Sequence, residues 1–265
     1  RTFTVDNQKN IKDPVGMTGI KLEAYTQIIQ GLSTQMKNLT KCIYRTSVDI
    51  DDFVLSALAS AEGVLTKRQR ELGVGLVNIG GSTTSLLIFE EGDVLHAKVL
   101  PIGAGHITND IAIGLRTSID VAEQVKLRFG GMDLDVSQKH ENVSLGQFDA
   151  SEDAVIPRKT VIEIIQARME EIFDLVHKEL KHVKRDGLLP AGIVFTGGGA
   201  HLSGIIDSAK KHFRLPASLG IPREVDSALD KIQDPAFSTA VGLVLWGAKF
   251  SSSDKHRNNF SLAKF

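Results

Sequence analysis

The residues best suited to chemistry lie in two glycine turns. The first is Asn78-Ile-Gly80-Gly81-Ser82-Thr83-Thr84-Ser85, set between the apolar runs Val74–Val77 and Leu86–Phe89, which predicts strand, tight loop, strand. With no Cβ at Gly80 and Gly81 the backbone can approach a ligand and offer N–H groups to phosphate oxygens, and Ser82, Thr83 and Thr84 add hydroxyl donors. An ordinary hairpin with polar turn residues is the competing reading. The second is Thr196-Gly197-Gly198-Gly199-Ala200, between the apolar strand Ala191–Phe195 and a helical stretch from Leu202 to Phe213. Strand, glycine turn and helix start form an anion site, because a helix N-terminus carries unpaired N–H groups and partial positive charge. None of the eight histidines has a metal-ligand spacing, and no serine or cysteine sits in a nucleophile motif, so no catalytic or metal-binding residue is assigned.

The chain around these turns has 265 residues, enough for two compact units, with 31 Lys and Arg against 32 Asp and Glu. That balance provides no global field toward nucleic acid or anionic lipid, and no nucleic-acid partner is expected. The single cysteine, Cys42, excludes an internal disulfide framework, suits a reducing cytosol, and is expected to pack. The longest nearly apolar stretch, Ala236–Ala248, is too short for a membrane span, which predicts a soluble chain. Opening on Arg1 rather than Met reads as a fragment or a processed form.

Several elements must position the turns. Alternation at Ile20, Leu22 and Ala24 predicts a strand within Gly19–Gln30, and Leu32, Met36, Leu39 and Ile43 give an amphipathic packing helix. Phe53–Leu55 reads as a short strand, Ala57–Gly63 as a helix with a small-residue face, and Thr66–Glu71 as a polar connection. The first turn lies in a three-strand meander that ends with Val94–Leu100. Helices follow over Ile107–Leu115 and from a capping pattern at Thr117 through Phe129; His140–Asp153 is irregular apart from a strand at Val143–Leu145. Thr160 and Glu163 form a capping pattern that opens the longest helix, with Ile162, Ile165, Met169, Ile172, Val176, Leu180 and Val183 as its core stripe. Asp234-Pro235 starts the last helix, punctuated by Ala240, Gly242 and Gly247, and Ser251–Phe265 reads as a tail.

Two glycine loops separated by an inserted helical region, with one small-faced helix before and one after, resemble the second half of the actin-like ATPase superfamily, in which two α/β domains clasp a nucleotide and two crossing helices form the hinge. Asp13-Pro-Val-Gly-Met, Leu65-Thr-Lys-Arg-Gln-Arg-Glu-Leu-Gly-Val, His106-Ile-Thr-Asn-Asp-Ile-Ala and Ser238-Thr-Ala-Val-Gly-Leu narrow the resemblance to the bacterial FtsA family of cell-division proteins, over nearly all of residues 1–250. It implies an α/β, actin-like (ribonuclease H-like) fold with one nearly complete domain and the remnant of a second. Residues 1–32 would be the remnant of the family's insertion subdomain and 33–71 part of the first actin-like subdomain. Residues 72–103 and 186–250 would form the second core subdomain, 104–185 its inserted helical and β subdomain, and 251–265 a linker tail. Neither the first phosphate loop, of the pattern Asp-x-Gly then Lys, nor a carboxy-terminal amphipathic helix longer than Phe260–Phe265 is found in the sequence.

The resemblance also implies site residues. Asn78, Gly80, Gly81, Ser82, Thr83 and Thr84 match the second phosphate loop, and Gly197, Gly198, Gly199 and Ala200 the loop along the adenosine and its phosphates. Glu123 would meet the ribose hydroxyls and Lys126 lie beside the adenine; their spacing puts both on one helical face, where an exposed intrahelical ion pair is the competing reading. Family members read Asp-Ile-Gly-Gly-Gly-Thr-x-Asp where this chain has Asn78, Ser82 and Ser85, so two carboxylates are replaced. An amide hydrogen-bonds but supplies no charge to a Mg²⁺ water shell or an attacking water. The expectation is ATP with Mg²⁺ as the ligand, held more weakly for Asn78 and the missing loop, and weak or absent hydrolysis. Glu62 is read as an exposed helix carboxylate rather than a substitute base.

The implied function is a cell-division scaffold that binds ATP, self-associates into actin-like filaments and tethers FtsZ to the cytoplasmic membrane. Its place would be the inner face of that membrane, peripherally, at the division site, with other division proteins as partners. The FtsZ tail would dock on about residues 104–170, where Arg168, Arg158 and Lys159 suit an acidic peptide, a solvated face being the competing reading. Alternatives are an actin-like ATPase enzyme, such as a chaperone or kinase relative, and a pilus-assembly or enzyme-reactivation relative of the same fold.

Overall fold

The computed structural model describes residues 2–26, 28–133, 141–223 and 230–253, and the chain divides into a smaller unit, residues 1–54, and a larger one, residues 55–265. In the smaller unit β1 (Thr2–Val5) is the centre of an antiparallel sheet between β2 (Gln8–Ile11) and β3 (Leu22–Tyr25). Asp6, at positive φ, holds the return strand through its Oδ1, which accepts from the amides of Ile20 at 3.0 Å and Lys21 at 2.8 Å. The predicted strand is therefore shorter, and Ile20 lies before it and is exposed. α1 (Ser33–Tyr44) forms where the periodicity puts it, yet none of its residues is buried and Cys42 is exposed. Both depart from the expected packing role, because helical periodicity fixes which face is apolar, not that anything covers it.

In the larger unit a five-stranded sheet has the order β10-β9-β4-β5-β6. β4 (Val74–Ile79), β5 (Thr84–Glu90) and β6 (Asp93–Leu100) are the antiparallel meander, and β9 (Ile193–Thr196) and β10 (Ala217–Leu219) add parallel to β4. Side chains alternate between two buried faces, as a strand period of two requires. Val77, Ile79, Leu86 and Ile88 face the larger core. Leu76, Leu87, Phe89 and Val194 pack with Ala57, Ala61 and Val64 of α2 (Ser56–Val64).

The larger core is built on α6 (Arg158–His182), whose Ile162, Ile165, Met169, Ile172, Val176 and Leu180 are all buried. The helix starts two residues before Thr160, with Pro157 at the cap and no side-chain cap, so the capping pattern at Thr160 and Glu163 is not used. α4 (Ala104–Leu115) and α5 (Ile119–Phe129) pack in the same cluster, with Ser118 rather than Thr117 capping α5 through Val121 N–H at 3.3 Å. α7 (Ile205–Phe213) follows the second glycine turn, and Phe173, Phe195 and Phe213 meet ring to ring between α6, β9 and α7.

Three further expectations are corrected. Phe53–Leu55 is not a strand: Leu55 takes the extended cap position of α2, and three apolar residues without a ladder partner do not make one. Thr66–Glu71 is helical, as α3 (Lys67–Leu72), because Thr66 and Gln69 form a reciprocal capping box. Asp234 caps a short 3₁₀ turn, Pro235–Phe237, and the last helix, α8 (Ser238–Ser253), begins after it. α8 also includes Ser251–Ser253, where the tail was expected; Phe260, Leu262 and Phe265 lie outside the described residues. Val155–Pro157, unassigned in the sequence, is β8 and pairs with β7 (Asn142–Ser144).

α2 and α8 cross backbone against backbone, as the small-residue face of α2 predicts. An ideal Cβ on Gly242 would lie 1.7 Å from the Ala59 carbonyl oxygen, and one on Gly63 3.0 Å from that of Ser238.

Candidate functional site

The first glycine turn closes on itself, the Gly80 amide donating to Thr83 O at 2.9 Å. It is also pinned from outside: the amides of Ala104 and Gly105, at the start of α4, donate to Gly80 O at 2.8 Å and Gly81 O at 2.7 Å. The helix N-terminus thus gives its first donors to the loop rather than to a ligand. Such contact needs Gly103, since a Cβ there would stand 2.5 Å from Gly80 O. Gly103-Ala-Gly105 was not singled out in the sequence; a Gly-x-Gly entering a helix was the available signal.

The second turn abuts the first. Gly197 has φ +86°, and a Cβ on it would lie 2.3 Å from Asn78 Oδ1 and 2.5 Å from Ile79 O. The Gly197 amide donates to Pro235 O at 3.1 Å, which ties in the turn ahead of α8. A 3₁₀ turn, Gly198–His201, separates β9 from α7, so the strand does not run directly into the helix.

On α5, Lys126 Nζ donates to Glu123 Oε2 at 2.6 Å and to Thr108 Oγ1 at 2.8 Å, and Thr108 donates to the same carboxylate oxygen at 2.5 Å. Burial pushes the Glu123 carboxyl up, but the hydrogen bonds from Lys126 and Thr108 and the Lys126 charge outweigh it and hold it below the usual range. The Lys126 side chain is 11% exposed and that of Glu123 42%, so the cation of the pair is largely shielded while the carboxylate reaches solvent.

These pieces enclose a cavity of about 550 Å³. Of the predicted residues, Gly80, Gly81, Glu123, Lys126, Gly198 and Gly199 line it. Gly197 and Ala200 are not among its lining residues, Gly197 abutting Asn78 and Ile79 and Ala200 being buried, and Ser82 and Thr83 are exposed. The buried Thr84 hydroxyl donates to Ile102 O at 2.8 Å. Asn78 is turned to α2 and α8, its Nδ2 donating to Ser60 Oγ at 2.8 Å and Thr239 Oγ1 at 3.3 Å. Glu62 is no exposed carboxylate: its side chain is 10% exposed and pairs with Arg70 at 2.9 Å and with Lys249.

His201 and Asp234 also line the cavity, and neither was proposed as a ligand contact. His201 Nε2 lies 2.7 Å from Asp234 Oδ1, joining the 3₁₀ turn after β9 to the turn before α8. The Ala236 amide, and then the His201 ring, hold the Asp234 carboxyl below its usual range against slight burial. His201 directly follows the glycine turn, which was its one sequence signal.

The expected partner-binding cations have different surroundings. Arg168 makes a two-pronged contact with Asp110, Nε to Oδ2 at 2.6 Å and Nη2 to Oδ1 at 2.8 Å, and its Nη1 pairs with Glu171. The three residues edge a groove of about 390 Å³ between α4 and α6. Arg158 is largely buried, donating to Phe129 O at 3.1 Å and to Glu141 Oε2 at 2.6 Å. Lys159 is exposed beside Glu163 at 3.4 Å.

Glycine turns, a cation and a carboxylate around one cavity can hold a ligand that combines phosphates with a sugar and a flat ring. Among the described residues no group of three or more His, Cys, Asp or Glu side chains is placed to hold a metal ion, and no helix is long and apolar enough to cross a membrane.

Comparison with known proteins bears on the same residues. A family model described as "Cell division protein FtsA" matches residues 75–242, and one described as "SHS2 domain inserted in FTSA" matches residues 1–30. Curated FtsA of Pseudomonas aeruginosa is 36% identical over 94% of this chain and 60% of its own length, and that of Bacillus subtilis 32% identical over 94% and 55%. The chain therefore spans about 60% of the length of the curated relatives it matches. Among solved structures, ADP-bound MreB5 of Spiroplasma citri is similar with a TM-score of 0.70 at 19% identity, covering 86% of this chain and 69% of that one. PilM in the PilM–PilN type IV pilus complex gives 0.62 at 17% identity, over 80% and 57%. At such identities the structural likeness shows the fold, which is actin-like. By the match over residues 75–242, the chain belongs to the FtsA family of cell-division proteins.

Proposed function

We propose that this chain contributes the nucleotide cavity of a cell-division scaffold that holds ATP, self-associates into actin-like filaments and tethers FtsZ to the inner face of the cytoplasmic membrane. The observation that carries the reading is the cavity itself, in which two abutting glycine turns face the Glu123–Lys126 pair. The cradle fits a nucleotide: Cβ positions built on Gly81 and Gly198 meet nothing within 4 Å, so ligand phosphates can lie directly over those amides. Lys126 and Glu123 would meet the base and ribose. Mg²⁺, carried in with the phosphates, would neutralise their charge.

MreB5 has been solved with both ADP and AMPPNP, which supports a nucleotide as the ligand of this fold. Hydrolysis is slow in this reading, because Asn78 and Ser85 supply no negative charge near the phosphates and the Asn78 amide is committed to Ser60 and Thr239. The FtsZ tail would dock along α4 and α6 at Arg168.

Titrating the chain with a fluorescent ATP analogue and Mg²⁺ tests the cavity, with saturable binding weakened by Lys126→Met as the expected result. Absence of binding by the folded chain would refute it. A labelled FtsZ tail peptide tests the partner in the same way; binding lost on Arg168→Glu supports the tether, and no binding by the folded chain refutes it.

A further inference from the structure

We infer that Asn78 is a positioning residue, which couples occupancy of the cavity to the crossing of α2 and α8 through its hydrogen bonds with Ser60 and Thr239. The inference rests on the nucleotide reading of the cavity and adds to it a route by which the ligand is sensed.

Proton counting fixes the set. The hydroxyl of Ser60, fully buried, donates to Ser56 O at 3.0 Å, so in its 2.7 Å contact with Thr239 Oγ1 it is the acceptor and Thr239 the donor. Asn78 Nδ2 donates to Ser60 Oγ at 2.8 Å and to Thr239 Oγ1 at 3.3 Å, and because those oxygens are only 2.7 Å apart the two contacts share one amide proton. Three protons thus serve these four contacts, one of them from the amide. A carboxylate at position 78 would bring no proton, leaving two donors for the same four contacts, so the geometry selects an amide. This explains Asn78 by what surrounds it rather than by the loss of a charge.

The same side chain touches both halves of the ligand cradle. Asn78 is paired with Ser85 across β4 and β5, one residue before Ile79 and two before Gly80 of the first turn. Its Oδ1 stands where a Cβ on Gly197 of the second turn would come within 2.3 Å. A ligand that draws the two turns together therefore acts on Asn78 directly. On the other side are two helices packed backbone to backbone at Ala59 and Gly242, with no intervening side chains to absorb a shift. Ser60 and Thr239 are the polar pins of that crossing, and both hang on one amide.

The test is amide hydrogen exchange over α2 and α8, with and without ATP and Mg²⁺, in the unaltered chain, in Thr239→Val and in Thr239→Ser. The expected result is exchange in both helices slowed by about fivefold or more on ATP binding in the unaltered chain. Thr239→Ser should retain that response, while Thr239→Val still binds ATP but loses it. Should Thr239→Val fail to fold, Ser60→Ala serves in its place. Equal slowing in unaltered chain and valine variant would overturn the coupling, as would ATP binding that leaves α2 and α8 unchanged; either leaves the nucleotide reading standing. No binding of ATP by the unaltered chain would overturn both.

Discussion

Lys126 Nζ sits 2.6 Å from Glu123 Oε2 with Thr108 Oγ1 bonded to both, so the two charged side chains that line the cavity hold one geometry before any ligand arrives. Preorganisation of this kind lowers the ordering cost of binding. Replacing Lys126 by Met should weaken ATP affinity by about tenfold, on the order of one lost charge-assisted contact. It should also raise the Glu123 titration midpoint. In the folded chain that carboxyl lies below its usual value of 4.5, so its contribution to stability is complete above that value and is lost as pH falls through the folded midpoint. Carboxyl NMR titration of unaltered and Lys126→Met chains checks the sign.

Gly103 holds the phosphate turn against α4. Gly103→Ala should push the Gly80 carbonyl away and destabilise the larger unit by about 1–3 kcal/mol, with loss of ATP binding beyond what stability explains. Denaturant unfolding and ATP titration of the same variant separate the two effects.

Two glycines of α8 should respond with opposite signs. Gly242→Ala places a methyl 1.7 Å from Ala59 O and cannot be accommodated without parting the helices, at a cost of about 3 kcal/mol or more. At Gly247 a Cβ meets nothing within 4 Å, so Gly247→Ala should stabilise by about 0.5–1 kcal/mol through helix propensity alone. Thermal unfolding of both variants measures the contrast.

Much of this architecture is legible in the sequence, and what is not legible has an identifiable cause. The meander, both glycine turns and the α6 stripe follow from periods of two and 3.6 and from glycine placement, all of which are local. The commitments of Asn78, Thr84 and Arg158 are not local: Asn78 bonds Thr239, 161 positions away, and Arg158 bonds Phe129 O, 29 positions away. A residue type gives its donors and acceptors but not who takes them. α3 is a different case, since the Thr66 and Gln69 capping box that starts it is local and legible in the sequence.

Asp110 competes with any acidic partner for Arg168. If Arg168 docks an acidic tail, Asp110→Asn should tighten tail binding severalfold while Arg168→Lys, which cannot restore a planar two-pronged contact, should weaken it. Peptide binding measured for both variants decides; tighter binding by Arg168→Lys would remove the groove from the partner assignment.

His212 packs between α6 and α7, its ring 5.7 Å from that of His177 and its Nε2 3.4 Å from Asp174. Burial lowers its pKa below the usual 6.5, and His177 adds to that against the opposing pull of Asp174 and Glu170. The neutral ring is thus the form the fold favours. Its contribution to stability is present above 6.5 and is lost as pH falls through the folded midpoint. Unfolding free energy should fall over that interval, and His212→Gln should flatten the dependence.

The most direct measurement of the central claim is a ¹⁵N NMR titration of the chain with ATP and Mg²⁺, reading the amides of Gly81 and Gly198. The account predicts saturable shifts at both glycines and at Lys126. Saturation elsewhere with these three residues unmoved, or no shift in a well-dispersed folded spectrum, would contradict it.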